Sequence, residues 1–228
     1  MAFCYAKQRN VPFAKNAPRD AGDIWTWVAI DADTKLIPSW RVENRSGETA
    51  IKFVCDLSSR LAHRVQITGD GNRVYLEAIE AAFGADVDYA QLIKLYGEVP
   101  HRAGRYGPAQ IQGTKTYCCT GNPGPRHIST SYIERQNLNM RMSMRRFTRL
   151  TNGFTKKAEN HAHMVSLHFM HHNFCRIHKT LRITPAIKAG VTSKLWSIDD
   201  IIDLVDTAEA PPKKRGRHKP RQRSQISN

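Results

Sequence analysis

The stretch VQITGDG at positions 65–71 decides the fold that we predict for this chain. Residues 65–68 have the composition of a short β-strand, and that strand ends at the Gly-Asp-Gly turn that contains Asp70. Residues 73–83 then carry apolar side chains at helical spacing, and residues 87–95 resume a strand pattern. Strand, helix and strand in succession are typical of an α/β sheet.

The residues before this unit extend the predicted sheet. Residues 23–30 are rich in aromatic and β-branched side chains, and residues 36–42 resume a strand pattern after a short turn. The two segments predict a β-hairpin in which Pro38 marks an edge or a bulge. Residues 3–6 are compatible with a further strand, and residues 46–63 predict a helix. This order of strands and helices predicts an α/β fold with one mixed sheet flanked by helices.

The residues after this unit have a different composition. Residues 97–129 contain six glycines and four prolines, which predicts a long loop. Three helical stretches follow, at 131–150, 158–177 and 197–205. The end of the chain is too charged to pack, so we divide the protein into a core at 1–205 and a basic, disordered tail at 206–228.

The net charge of +15 is concentrated in two segments of the chain. Residues 135–157 and residues 213–228 each contain seven Lys or Arg and no acid, so together they hold 14 of the 15 excess positive charges. Such segments are suited to neutralising a phosphate backbone, and they predict double-stranded DNA as a partner. Basic segments also occur as solvated surfaces or tails, and the charge alone leaves that alternative open.

The chain lacks the features of a membrane or exported protein. The sequence has no run of about 18 apolar residues, and its first residues lack the pattern of a secretory signal. Five cysteines without a framework spacing are typical of reduced thiols in a cytosol. We therefore expect no membrane partner and a cytoplasmic location, in association with the nucleoid when the protein is bound to DNA.

The helix predicted at 131–150 separates its residues into two faces. Its apolar side chains collect on the side that would pack against the sheet: Ile133, Met140, Met144 and Phe147. Its polar side chains collect on a neighbouring side: Glu134, Asn137, Arg141, Arg145 and Arg149. Arginines without a second acid repel one another unless phosphates lie between them, so we predict that this polar side binds DNA. Glu134 alone could instead serve to complement the positive end of the helix.

Asp70 and Glu134 are the acids that we select as candidate metal ligands. Asp-Gly after a strand is a common turn signal, and that role alone would explain Asp70. A carboxylate at the C-terminal end of a buried strand is also where α/β proteins place a site. Two such carboxylates suit Mg²⁺, which prefers oxygen ligands and keeps waters and substrate phosphates in its shell.

Three motifs of the chain resemble those of a known enzyme family. The stretch YIERQNLNMR at 132–141 resembles the Ile-Glu-Arg-x-Asn-Leu signature of small bacterial insertion-sequence transposases. The stretch HNFCRIHKTLRITPA at 172–186 resembles the Tyr-Asn-x-x-Arg-x-His-x-x-Leu-x-x-Thr-Pro segment near the end of many DDE transposase cores. With TGDG at 68–71, the motifs follow the family's order, and the likeness covers roughly residues 3–205.

This resemblance implies an RNase H-like (retroviral-integrase) fold and a catalytic set of two aspartates and one glutamate that bind Mg²⁺ or Mn²⁺. Matching the motifs makes Asp70 the second carboxylate and Glu134 the third. Such enzymes cut DNA at transposon ends and join the freed 3′-hydroxyl to target DNA. They generally work as multimers, so the resemblance implies a homo-oligomer. Arg176 and His178 in the last motif are expected to support the active site or to contact DNA.

The first catalytic carboxylate of the family has no counterpart in this chain. In relatives it lies in an Asp-Glu-x-Trp-x-Phe run whose Phe corresponds to Phe3, and only Met1 and Ala2 precede Phe3 here. Asp31, at the end of an apolar strand, is a candidate substitute, and Asp33 is a weaker one. We interpret the chain as N-terminally shortened. The alternative function is a catalytically dead remnant that binds DNA or interferes with the full-length enzyme.

The tail and the cysteine and histidine groups complete the candidate sites. The tail resembles an arm that inserts arginines into a narrow minor groove, and its predicted DNA-binding residues are Lys213, Lys214, Arg215 and Arg217. Neither the adjacent Cys118 and Cys119 nor His168 and His172, four positions apart, stands in the context of a zinc motif. We therefore expect these histidines to pack in the core or lie on the surface.

Overall fold

A computed structural model describes residues 2–97, 111–147 and 153–209 of the chain. These residues form a mixed α/β fold in which helices flank two three-stranded sheets. The chain divides into two compact units, Met1–Leu195 and Trp196–Asn228. Within the described ranges, no helix is long and apolar enough to cross a bilayer.

The first sheet is antiparallel, with the strand order β1 (Ala2–Cys4), β2 (Gly22–Val28) and β3 (Trp40–Glu43). Strands β2 and β3 form the predicted hairpin, in which Trp25 lies opposite Glu43 and Val28 lies opposite Trp40. The hairpin prediction is therefore confirmed. Aromatic and β-branched side chains suit the pleated, half-buried surface that this pairing creates.

Strand β3 begins at Trp40 instead of at residue 36, because the preceding backbone binds a distant side chain. Pro38 has no N–H to donate to a neighbouring strand. The N–H of Ile37 donates to Asn173 Oδ1 at 3.0 Å, and Asn173 Nδ2 donates to the Ile37 carbonyl at 2.9 Å. An amide 136 positions along the chain thus occupies both backbone groups of the buried Ile37.

Helix α1 (Gly47–Ser59) follows the hairpin. The hydroxyl of Ser46 accepts the Thr49 N–H at 3.2 Å, which satisfies one of the free donors at the helix start. The buried face consists mainly of apolar side chains at helical spacing: Ala50, Phe53, Val54 and Leu57. The helix ends at Ser59, four residues earlier than predicted, where the Arg60 N–H bonds to the Leu57 carbonyl in a tighter last turn.

The second sheet contains the strand, helix and strand predicted around Asp70. Strand β4 (Gln66–Gly69) leads through helix α2 (Val74–Phe83) to strand β5 (Asp88–Tyr96), and β4 and β5 are parallel. Gly84 ends α2 at φ 54°, a conformation that glycine adopts without steric cost. The predicted order of these three elements is confirmed.

The long loop predicted at 97–129 contains a strand, so that prediction is wrong in part. Strand β6 (Ile111–Thr120) pairs antiparallel with β5 over its whole length. The glycines and prolines that predicted a loop lie mostly outside 111–120, whereas the strand itself is rich in Thr, Tyr and Cys. β6 is an edge strand, and almost all of its residues are exposed.

The strands form two sheets where the sequence predicted one. β1 reaches only from Gly22 to Ile24 along β2, and no other described strand joins β2 to β4. A shared core nevertheless packs the two sheets and the helices α1 and α2 together. Its buried members are Trp27, Ala50, Phe53, Val54, Ala78, Ile79, Val87 and Tyr89. The two sheets therefore share one hydrophobic core.

The helices predicted at 131–150 and 158–177 end earlier than predicted. Helix α3 (Ser131–Ser143) ends where Met144 adopts an extended backbone, and a 3₁₀ turn (Arg145–Phe147) follows. Helix α4 (Ala158–Met170) continues into a π-helical turn (His171–Cys175) that buries His172 and Asn173. Met140, Met144 and Phe147 of the predicted apolar stripe are buried in a second core cluster with residues of β1 and α4.

Two further helices end the described chain. Helix α5 (Pro185–Lys188) begins after Thr184, whose hydroxyl accepts the Ile187 N–H at 3.3 Å. Helix α6 (Ile198–Ala208) lies in the second unit, and Ser197 and Asp200 form a capping box at its start. Helix α6 thus extends three residues into the segment predicted as a disordered tail at 206–228, and the tail beyond residue 209 lies outside the described residues.

Candidate functional site

Asp70 lies directly after the last residue of β4. Gly69 pairs with Gln91 of β5, so Asp70 follows at the C-terminal end of a parallel strand. The side chain is exposed, and its Oδ1 accepts the Asn72 N–H at 3.2 Å in a short turn. Asp70 thus fits both roles considered from the sequence: it forms a turn, and it lies at the end of a strand.

Two tyrosines neighbour Asp70 beneath the surface. Burial, the hydrogen bond to Gln91 and the charges of Cys119 and Asp70 act on Tyr89, and the balance, led by burial, raises its pKa to about 12. Burial also raises the pKa of Tyr75, and the negative charge of Asp70 adds to this shift. Tyr75 packs edge-on against Trp27 at 5.5 Å between ring centroids. The charge of Asp70 therefore acts on two tyrosines, one of which links α2 to Trp27 of β2.

Glu134 lies in the first turn of α3 and binds two side chains. Its Oε1 accepts hydrogen bonds from the Lys94 ammonium on β5 and from the Thr130 hydroxyl, the latter at 2.8 Å. The hydrogen bond from Lys94 is the largest cause that holds the pKa of Glu134 below its ordinary value, and the Thr130 bond adds to it. The glutamate is ionised at neutral pH and tied to the second sheet.

Strand β5 brings the two candidate carboxylates to the same end of the sheet. Because Gly69 pairs with Gln91, Asp70 lies level with the next residue of β5, Leu92. Lys94, the partner of Glu134, is two residues further along, about 7 Å at the usual rise of a strand. Asp70 and Glu134 are thus on elements that meet around one short segment of β5.

The fit of a metal to these residues follows from their chemistry. Two carboxylates, one exposed on a strand end and one half-exposed on a helix, are the oxygen donors with which proteins hold Mg²⁺ alongside waters and phosphates. The Lys94 ammonium stands on Glu134 as a competing cation. Among the described residues, no group of three or more His, Cys, Asp or Glu side chains is arranged to hold a metal ion. Asp70 and Glu134 are thus two candidate oxygen donors, of which Glu134 is already paired with Lys94.

Asp31 forms the turn between β2 and β3. Its carboxylate accepts the N–H groups of Asp33 and Thr34, each at 3.2 Å, and the hydroxyl of Thr34. These three bonds lie within its own turn, as expected for an aspartate that stabilises a turn through its side chain. Asp33 is exposed in the same turn. The described contacts therefore give Asp31 a turn-forming role.

The hairpin turn borders the first turn of α3. Lys35 Nζ lies 3.9 Å from the ring centroid of Tyr132, close enough for a cation–π contact. The carbonyl of Lys35 is 3.2 Å from His172 Nε2 on the π-helical turn. Lys35 and Lys94 are thus two lysines near the start of α3 that the sequence reasoning did not select. The sequence did contain a signal for Lys94, because it is a charged residue between the apolar Ile93 and Leu95 of a predicted strand.

The predicted arginine face does not continue along one helix. Asn137 and Arg141 are exposed on α3, and Arg141 Nε donates to the Asn137 carbonyl at 3.3 Å. Arg145 is exposed but lies in the 3₁₀ turn after α3, because the buried Met144 has left the helical conformation. The prediction that Arg145 extends the α3 face is therefore wrong, and Arg149 lies outside the described residues.

Arg176 and His178 follow the π-helical turn. Arg176 is exposed, and its N–H bonds to the His171 carbonyl at 2.9 Å. The backbone of His178 bonds to Ile183 and Arg182, which closes a tight loop. Burial is the largest cause that lowers the pKa of His178, with repulsion from Lys35 and Arg176 added. These two residues therefore lie near the hairpin turn, whereas Lys213, Lys214, Arg215 and Arg217 lie outside the described residues.

In the described parts of the chain, the other histidines and cysteines do not form a group that could hold a metal ion. His161 is fully buried, and its Nδ1 is 3.0 Å from the Thr155 hydroxyl. His168 packs against Phe169 at 5.5 Å between ring centroids. Cys118 and Cys119 are exposed on β6. His161, His168 and His172 thus pack in or near the core, whereas His163 and His171 are exposed.

Comparison of the chain with protein-family models, with curated protein sequences and with solved structures finds no match in any of the three.

Proposed function

We propose that the chain is the core of a DDE-type insertion-sequence transposase that cuts and joins DNA, with Asp70 and Glu134 as metal ligands. The observation that carries this proposal is the position of the two acids. One ends β4 and the other begins α3, and the Lys94 contact places both around the same segment of β5. A carboxylate at the C-terminal end of a parallel strand, such as Asp70, is at the position where α/β proteins place a site, and Glu134 adds a second acid from a neighbouring helix.

The arrangement of the elements supports the finer assignment to the RNase H-like fold. An antiparallel hairpin, a helix and a parallel strand pair follow one another in the order that the sequence predicted, with helices on the sheets, although the strands form two sheets and not the single sheet expected. The three motifs fall on structurally distinct places: the TGDG stretch ends β4, the IERQNL stretch opens α3, and the last motif forms the π-helical turn and the loop after it.

The metal in this proposal is Mg²⁺ or Mn²⁺, held by Asp70 and Glu134. A divalent ion supplies Lewis-acid activation of a water or hydroxyl nucleophile and charge stabilisation at the phosphate. Hydrogen bonds within the chain would orient the two ligands. The Asn72 N–H binds one carboxylate oxygen of Asp70, and the Thr130 hydroxyl binds one of Glu134. If Glu134 bound the metal, Lys94 would have to release the carboxylate, and its ammonium would then be available to pair with a DNA phosphate.

Double-stranded DNA is the proposed partner, and polar and basic side chains near the two acids are its proposed contacts. Asn137 and Arg141 share α3 with Glu134, and Arg176 and His178 lie near the hairpin turn that touches the start of that helix. Arg145, Arg149 and the tail residues would extend the basic surface. A homo-oligomer and a cytoplasmic, nucleoid-associated location belong to the same proposal.

The test is a cleavage and strand-transfer assay with the purified chain. The substrates are a supercoiled plasmid and a duplex with the terminal sequences of the DNA element that encodes the protein, each with Mg²⁺ or Mn²⁺. Glu134→Gln should abolish nicking and strand transfer. Glu159→Gln is the matched control, because Glu159 is also an exposed glutamate in the first turn of a helix. Equal activity in both variants would refute Glu134 as a catalytic ligand.

A second candidate function is a non-catalytic DNA-binding protein that interferes with an active transposase. The observation that favours it is the bonding of the acids. Lys94 and Thr130 occupy Glu134, and the turn occupies Asp31, so the described residues offer two carboxylates where the family uses three. Salt-dependent DNA binding without cleavage in either metal, together with inhibition of an active relative, would support this second function.

A further inference from the structure

A second basic region lies at the far end of α3 from Glu134. An open pocket of about 550 Å³ opens between the 3₁₀ turn at Arg145–Phe147 and the start of α4. Its volume lies within the range of about 300–1,000 Å³ that small-molecule sites occupy. The 13 residues of α3 separate it from the first turn of that helix by about 20 Å. It is therefore distinct from the Asp70 and Glu134 region.

Four cations line this pocket, and no acid does so among the described residues: Arg145, Arg146, Lys156 and Lys157. None of the four forms an ion pair within the described parts of the chain. Asp20 interacts electrostatically with Lys157 and accepts the Ala158 N–H at 2.8 Å. Like charges around one cavity repel one another, and a multivalent anion would relieve that repulsion.

The same pocket has an apolar wall. Met144, Phe154 and Met164 contribute it, and Met164 is 37% exposed. The ring of Phe154 stacks on Phe3 at 5.6 Å with an angle of 28° between planes, which fixes its orientation. A flat aromatic group can pack on such a surface, because nucleic-acid bases stack on aromatic side chains irrespective of their sequence.

We propose that this pocket binds a nucleotide, with the base against Phe154 and Met164 and the phosphates among the four cations. Neither phosphate alone nor an apolar ring alone would use both halves of the lining. Two sources can supply this chemistry: a free nucleoside triphosphate, or an unstacked nucleotide of single-stranded DNA. The inference goes beyond the proposed transposase activity and stands on the pocket itself.

The test measures binding of two probes by fluorescence anisotropy in the full chain. The probes are N-methylanthraniloyl-ATP and a fluorescein-labelled hexathymidylate. Met164→Glu places a negative charge in the pocket at an exposed helical position, and it should weaken binding about fivefold or more. Leu167→Glu is the matched control, because Leu167 is exposed on the same helix but does not line the pocket, and its effect should stay within about twofold.

A charge-removal pair checks the same conclusion from the other direction. The double variant Arg145→Gln, Lys156→Gln should bind both probes more weakly. The control double variant Lys115→Gln, Lys188→Gln removes two exposed charges elsewhere and should change the binding of the probes little. Preference for one probe identifies the source of the nucleotide. Equal affinities in Met164→Glu and Leu167→Glu for both probes would overturn the proposal, and so would competition by tripolyphosphate that is as strong as competition by ATP. Glu134→Gln should bind both probes normally, which separates this result from the test of transposase activity.

Discussion

The ammonium of Lys94 on β5 binds the carboxylate of Glu134 in the first turn of α3. The lysine side chain is 21% exposed and the glutamate side chain 48%, so water screens the pair only in part. The contact links the second sheet to the helix that carries the candidate metal ligand. It also places a positive charge where a divalent cation would bind.

Removing this lysine should therefore favour metal binding. In Lys94→Gln, we expect Mn²⁺ to bind more tightly by on the order of fivefold, because the competing charge of a partly exposed pair is gone. Isothermal titration calorimetry would measure the change. Lys52→Gln is the control, since Lys52 pairs with Glu48 on α1 in a similar way. Unchanged Mn²⁺ affinity in Lys94→Gln would argue against Glu134 as a ligand.

Asp31 offers a prediction about stability and not about catalysis. Asp31→Ala removes the acceptor of two backbone N–H groups in the hairpin turn, which should cost about 1 kcal/mol of unfolding free energy. Urea denaturation would measure this loss. Asp33→Ala, in the same exposed turn, should change stability little. If Asp31→Ala instead kept full stability and lost metal-dependent cleavage, Asp31 would be the missing carboxylate.

Buried histidines make the stability of the chain depend on pH. Burial is the main cause that lowers the pKa of His161 and of His168 from 6.5 to about 4. In that interval the unfolded chain binds more protons, so the stability that the neutral histidines contribute is present above pH 6.5 and is lost as the pH falls towards 4. Each histidine should remove roughly 2 to 3 kcal/mol by pH 4.5.

Urea denaturation at pH 7.5, 6.0 and 4.5 would measure this dependence. His168→Leu should flatten it, because the replacement fills the same buried position without a titrating group. His63→Leu, at an exposed position, should leave the slope unchanged. A slope that is the same in wild type and in His168→Leu would show that the lowered pKa of His168 does not govern the acid response.

The sequence predicted the elements whose signal is local. Residues 65–71 predicted β4 and the turn at Asp70, and the hairpin of β2 and β3 followed from its strand composition. Strand β6 was missed because its glycine-rich and proline-rich flanks dominate the local composition, while β5 is its only partner among the described strands. Pairing with a neighbouring strand is a tertiary effect that overrides local preference.

In the candidate site too, the sequence predicted the residues that stand in local motifs but not the contacts that depend on packing. Glu134 and Asp70 stand in recognisable motifs, but the Lys94 contact depends on how α3 packs against β5, 40 positions earlier in the chain. The end of α3 at Met144 was also unpredictable from periodicity. Met144 continues the apolar spacing of the helix, yet it is buried with an extended backbone in the second core cluster. Packing, and not helical preference, ends this helix.

The contact between Asn173 and Ile37 is a long-range contact of this kind, and it yields the last prediction. Asn173 is 3% exposed, and its amide satisfies both backbone groups of Ile37. Asn173→Ala leaves a buried N–H and a buried carbonyl without partners, which should cost about 2 to 4 kcal/mol. Asn173→Asp should cost at least as much at neutral pH, because a carboxylate cannot donate to the Ile37 carbonyl and carries a buried charge.

Thermal and urea denaturation would measure both losses, with the exposed Asn122→Ala as the control. A loss below about 0.5 kcal/mol in Asn173→Ala would show that water replaces the amide and that this contact does not hold the hairpin to the π-helical turn.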